Sequence, residues 1–171
     1  MVDLKGKTCN LLLNFQQFDE HFFCRNWFPC KLILIQRRGR VVLEKVTEEG
    51  KEIGGAEGRL IIPGHAIEAG WFLLQYATKK QNYELARIAI DKFIVQSFEI
   101  GWDDMYGGLL YMLDANGFSP TQLEWNMKLW WPHAEALIAF LMAYKETRDY
   151  RYMEKFDLVF QYTFSHVRQR L

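Results

Sequence analysis

His65 and Glu68 stand three apart, directly behind Pro63-Gly64. On a helix that spacing puts both side chains on one face, about 5–6 Å apart at Cβ. A histidine in a first helical turn meets unsatisfied backbone N–H groups and the positive end of the dipole, which disfavour imidazolium. A ring held neutral can accept a proton, as a general base working near pH 7 must. Glu68 would orient that ring or bind substrate hydroxyls; the alternative is a polar capping cluster at a buried helix end. His133 and Glu135 form a second pair, two apart, behind Trp130-Trp131-Pro132. Mid-helix such a pair diverges, but first-turn side chains splay towards the helix end, so both could edge one cavity with His65. Trp131 has the flat face that stacks on sugar rings, although adjacent tryptophans also serve as core.

Other chemistries find less support. No His-Glu-x-x-His occurs and no cysteine lies near a histidine, so no metal site is expected. Cys9, Cys24 and Cys30 are odd in number and fit neither a disulfide framework nor a CxxC pair. Asp103 and Asp104 could act as glycosidase carboxylates or cap a turn. Gly54-Gly55 and Gly58 follow no strand-to-helix unit, which weakens a phosphate-cradling reading. The 171 residues balance 21 Lys+Arg against 21 Asp+Glu, so no basic excess favours nucleic acid or an acidic membrane. Leu11-Leu12-Leu13 is too short for a signal-peptide core, and no apolar run approaches the ~18 residues of a membrane span. A soluble, reducing, cytoplasmic setting is expected. Half of the residues are hydrophobic and 16% aromatic, enough for a sizeable core, with aromatics open to core, interface or sugar cavity alike.

The candidate residues need helices to hold them, and the chain supplies these as a repeat. Pro63 opens a helix running towards Ala77, and Pro132 opens another running to Tyr144, each with Pro near the first turn. Each ends in a polar turn, Thr78–Asn82 or Lys145–Asp149, and a second helix follows. In the first of these, Tyr83, Ala86, Ile90, Phe93 and Ile94 share a face; in the second, Tyr152, Phe156, Val159, Phe160 and Phe164 do. His65 to His133 is 68 residues and Tyr83 to Tyr150 is 67, so two helical hairpins repeat at that period. Between them, Leu109–Leu113 and the Asn116-Gly117 turn predict a short β-hairpin, followed by a short helix around Gln122–Trp130. Val41–Thr47 reads as a short β-branched strand, and Glu48–Gly58 as a loop. The architecture expected is all-α, a solenoid or closed barrel of helical hairpins with loops gathered at one end.

Several ordered blocks, Pro63-Gly64-His65-Ala66-Ile67-Glu68-Ala69-Gly70-Trp71-Phe72, Gly101-Trp102-Asp103, Tyr106-Gly107-Gly108-Leu109 and Lys128-Leu129-Trp130-Trp131-Pro132-His133-Ala134-Glu135-Ala136, resemble the N-acylglucosamine 2-epimerase (renin-binding protein) family. The likeness runs from about Arg38 to Leu171; residues 1–36 do not share it. The chain thus divides into a leader, 1–36, and a domain, 37–171. The resemblance implies a partial (α/α)6 barrel, because six units of about 67 residues need roughly 400. It implies interconversion of N-acetylglucosamine and N-acetylmannosamine by deprotonation and reprotonation at C2, which suits two acid/base groups flanking that carbon. By the same match His65 is one catalytic group, while Glu68, Trp131 and Glu135 bind the sugar; His133 matches in position with no role attached. No cofactor is required. Nucleotide (ATP) activation, a homodimer in the complete form and renin as a partner are further implications, beside the amino-sugar substrate.

The family's partner histidine lies beyond Leu171, and residues 1–36 do not replace an early helix that carries a substrate-binding arginine. His21 and His166 match neither position and read as structural. The expectation is therefore a truncated isomerase, weakly active or inactive. The alternative is a non-catalytic variant that binds a protein through exposed helix faces. A glycosidase using Asp103 or Glu124 is a third reading, which the family likeness disfavours.

Overall fold

The computed structural model describes residues 35–36, 40–47 and 49–168. The leader 1–36, with its cysteines and His21, lies outside them except for Ile35–Gln36. Those two residues form β1, which pairs antiparallel with β2, Val41–Val42. Beyond β2 the chain bends at Glu44 between Leu43 and Val46, both fully buried, and Val46 bridges to Glu52 around a tight turn at Gly50. A 3-10 turn, Glu57–Arg59, leads into β3, Leu60–Ile61.

Helix α1, Pro63–Lys79, begins with Pro at its first turn, where the missing N–H costs nothing. Ala66, Ile67, Ala69, Phe72, Leu73, Leu74 and Ala77 are all buried, so α1 is packed on most of its circumference. A helix apolar over so much of its surface belongs inside a layered domain. Asn82 caps the next helix by accepting from the Leu85 N–H at 3.0 Å. That helix is built in three parts: α2, Tyr83–Ile88; a π-helical stretch, Ala89–Val95; and α3, Gln96–Gly101. The wider winding is visible where the Gln96 N–H reaches the Asp91 carbonyl, five residues back.

The second hairpin is α4, Trp130–Thr147, and α5, Arg151–Arg168. Arg148 ends α4 in the left-handed region, φ 60°, and Asp149 accepts from the Arg151 N–H. Inner helices α1 and α4 lie side by side and run in the same direction. Three contacts show this: Gly64 against Trp131 and Pro132, Trp71 to Glu135, and Thr78 to Glu146 at 2.8 Å. The sequence repeat is thus a spatial one. The π-helical stretch packs against α1, and α5 packs against α4, forming an outer layer.

Four details differ from expectation. Leu113–Asp114, β4, pairs with β3 rather than folding back at Asn116-Gly117, although Gly117 does close a turn with Asp114. Residues 122–129 form turns, not a helix. The Trp125 and Met127 carbonyls accept from the Met112 and Tyr111 N–H groups, which takes those acceptors out of helical bonding. Phe160 and Phe164, assigned to the packed face of the second outer helix, are 45% and 48% exposed; Val159, Phe156 and Tyr152 do the packing. Tyr83, at the first position of α2, is exposed as well.

Candidate functional site

Both inner helices start at the end of the molecule where β3, β4 and the 102–129 loop gather. His65 sits in the first turn of α1 and Trp131 in the first turn of α4, and their rings lie 5.1 Å apart at a tilt of 30°. Gly64 makes this approach possible: a Cβ there would come within 2.7 Å of the Trp131 ring. Tyr111 meets the same indole edge-on at 6.3 Å. One turn deeper, the Trp71 indole N–H donates to Glu135 at 2.6 Å, joining the inner helices through two of the residues nearest the site. Glu68 lies half-buried one turn below His65. The structure therefore brings His65 and Trp131 together and places Glu68 and Glu135 one turn in from the same end.

The carboxylate on His65 is not Glu68. Both oxygens of Glu44 lie 3.2 Å from His65 Nδ1, and Glu44 is only 7% exposed. This partner was missed because Glu44 comes from the strand-like run Val41–Thr47. Nothing local marks it: Glu44 follows the apolar run Val41-Val42-Leu43 as any strand-end carboxylate does. The Trp71–Glu135 bond was missed for a different reason, since it links two repeats and has no local spacing.

Burial pushes the Glu135 carboxyl above its ordinary value, and the Trp71 N–H, which favours the charged form, opposes this. Trp71→Phe deletes that donor while keeping an aromatic ring. The Glu135 titration, followed by 13C NMR of its carboxyl, should then move to higher pH. A midpoint that stays put or falls would show that the indole has no hold on the acid.

His133 stands apart from the other four. It is 2% exposed, its Nδ1–H donates to the Leu129 carbonyl at 2.6 Å, and its Nε2 accepts from the Leu109 N–H at 2.9 Å. Tyr162 stacks on it at 5.0 Å. Both nitrogens are used on the main chain, so His133 pins the 102–129 loop to α4, and burial holds its basicity down. The loop is closed further by Gly108, whose φ of +83° and contact with the Tyr162 ring leave no room for a side chain. His166 is exposed on α5 against Tyr162.

A cleft of about 660 Å3 opens in the loop beside Trp102, Asp103, Tyr106, Trp125 and Lys128, and it includes none of the five predicted site residues. Asp103 there accepts from Lys128 Nζ at 2.7 Å and from the Met105 and Tyr106 N–H groups. The Lys128 hydrogen bond, with those from the main chain, holds its carboxyl below the ordinary value. A glycosidase acid needs the reverse, and Asp103 is a turn cap. Among the described residues, no group of three or more His, Cys, Asp or Glu could hold a metal, and no helix is long and apolar enough to cross a membrane.

Paired helices in two layers make a helical fold shared with solved structures of sugar epimerases and isomerases. The chain is similar to a cellobiose 2-epimerase from Bacillus thermoamylovorans, with TM-score 0.65 and 18% identity over 86% of this chain and 36% of that one. It is similar also to a D-mannose isomerase, with TM-score 0.57 and 21% identity over 73% of this chain and 33% of the other. Residues 40–170 match the N-acylglucosamine 2-epimerase (GlcNAc 2-epimerase) family, and the chain belongs to it. The N-acylglucosamine 2-epimerase of rat is 55% identical and that of human 52% over 134 residues, 78% of this chain. The chain spans about a third of those relatives' length, 32% and 31%.

Proposed function

We propose that this chain carries one side of the acid/base site of a sugar 2-epimerase acting on N-acylated hexosamines, with His65 as its proton-transferring group. The observation that carries the reading is the placement of His65: first turn of α1, Nδ1 against Glu44, ring against Trp131. In the ring-opened sugar the C1 carbonyl acidifies the proton on C2. His65 Nε2 takes that proton, the bonding electrons pass to the carbonyl oxygen, and reprotonation from the opposite face gives the epimer. Trp131 supplies a stacking face for the sugar, and Glu68 and Glu135 supply carboxyl groups for its hydroxyls. The two hairpins are read as two of the six in an (α/α)6 barrel, in line with the sugar epimerase neighbours. The second acid/base group belongs to a further part of that barrel, so the 171-residue chain alone interconverts the sugars slowly or not at all.

N-acetylmannosamine added to the 15N-labelled chain should shift the His65 ring and Trp131 indole signals, with the His133 ring unmoved. A sugar that shifts neither at tens of millimolar would remove the reading. Turnover at the rate of a full-length relative would remove its low-activity part.

A second reading rests on the apolar surface of the second hairpin. Ile138 and Leu141 on α4, and Phe160 and Phe164 on α5, are all more than 40% exposed. Such faces suit a protein-binding module, and the sugar titration separates the two readings.

A further inference from the structure

We propose that Glu44 is a positioning residue that sets the tautomer of His65, holding the proton on Nδ1 so that Nε2 is the base. The inference rests on the epimerase reading for its purpose but not for its test. Glu44 is unusually well fixed for a residue outside a helix. Its own N–H donates to the Leu60 carbonyl at 2.9 Å, which ties it to β3, the strand that leads directly into α1. Leu43 before it is 0% exposed and Val46 after it 1%, so the backbone on either side is locked in the core. The segment that carries the carboxylate and the helix that carries the imidazole are thus joined just ahead of the site.

Two constraints meet on the ring. The carboxylate takes Nδ1, with both oxygens at 3.2 Å, and Trp131 covers a face at 5.1 Å. What remains is Nε2. A free neutral imidazole divides its proton between the two nitrogens, and the tautomer is set by the partner that the other nitrogen finds. A buried carboxylate is costly to desolvate unless it is paired, which makes Glu44 a strong acceptor for the Nδ1–H. When Nε2 takes the substrate proton the ring becomes imidazolium, and its Nδ1–H then faces a carboxylate already in place. Glu44 neither gains nor loses a proton in that step; it orients and stabilises.

The test is the nitrogen chemical-shift pattern of His65 in the 15N-labelled chain, at a pH where the ring is neutral. The intact chain should show the protonated-nitrogen signal at Nδ1 and the bare-nitrogen signal at Nε2. Glu44→Leu removes the acceptor, and the protonated-nitrogen signal should move from Nδ1 towards Nε2. Glu44→Gln keeps an acceptor oxygen and should retain the original pattern. His133 is the internal control, because its Nδ1–H is held by the Leu129 carbonyl and not by Glu44. An intact chain with the proton on Nε2 of His65 overturns the proposal, as does a Glu44→Leu chain that keeps it on Nδ1. Should the Glu44→Leu substitution unfold the chain, His133 loses its pattern too, and Glu44→Asp takes its place: a carboxylate withdrawn by one methylene must lower the Nδ1–H fraction, and an unchanged fraction overturns the proposal. None of these readouts depends on turnover, so an inactive protein with the expected pattern would count against the epimerase reading alone.

Discussion

Alanine in place of His65 is expected to lower the rate of N-acetylmannosamine epimerisation by about 10²–10⁴-fold in kcat, the range over which a positioned acid/base group acts. KM should change little, because in the proposed reading the imidazole works on a proton while Trp131 and the carboxyl groups hold the sugar. The assay uses a chimera in which residues 40–170 replace the matching third of the rat relative, to which the chain is 55% identical. Solvent-deuterium uptake at C2, read by proton NMR, should fall in parallel with epimerisation. If the His65→Ala chimera keeps its rate while the unmodified chimera is active, His65 is not the proton-transferring group. A His65 variant that lost only affinity would place it among the binding residues.

The other large effect concerns stability. Removing the His133 ring as alanine strands a buried main-chain donor at Leu109, takes a second hydrogen bond from the Leu129 carbonyl, and empties the space beneath Tyr162. The unsatisfied donor costs about 1–3 kcal/mol and the cavity adds about 2 kcal/mol, so a loss of about 3–5 kcal/mol in urea unfolding is expected. His133→Gln, with one donor and one acceptor, should recover part of it.

The same residue gives the fold a pH dependence with a definite sign. Above 6.5, the ordinary histidine value, folded and unfolded chains both carry a neutral ring at this position. As pH falls below 6.5 the unfolded chain takes up a proton that the buried ring refuses, and stability declines until the depressed folded value is reached. In His133→Gln that part of the acid sensitivity should disappear. An unfolding free energy that drops as steeply in the Gln variant would assign the acid sensitivity elsewhere.

These two histidines show where sequence reading succeeds and where it stops. Helix starts, hairpins and the 67-to-68-residue repeat are legible because they are local: a proline in a first turn, a 3.6 period, a polar turn at a fixed offset. His65, Trp131 and Glu135 are legible as candidates because the repeat puts them at equivalent helix ends. Glu44 is not, since its partner lies 21 residues away, beyond the Gly50 turn and β3. His133 looks like a twin of His65 by position, yet the loop that closes over it turns a candidate reactive group into a main-chain clamp. The Gln122–Trp130 segment carries helical composition, but its carbonyls are claimed by Tyr111 and Met112. Local pattern predicts elements; competition for hydrogen-bond partners across the fold decides which of them form.

The π-helical stretch in the outer layer has its own bearing on how this chain can vary. Its widened turn presses Phe93 and Ile94 against α1 at Gly70, where an added Cβ would come within 2.6 Å of Ile94 and 2.8 Å of Phe93. The extra residue in the winding and the missing side chain opposite are complementary halves of one fit. A larger residue at 70 collides while the wide turn persists, and tightening the turn by one residue opens a gap while glycine remains. Each change is harmful alone and compatible with the other. Variation at the two places is therefore coupled: a change at one is tolerated together with the matching change at the other.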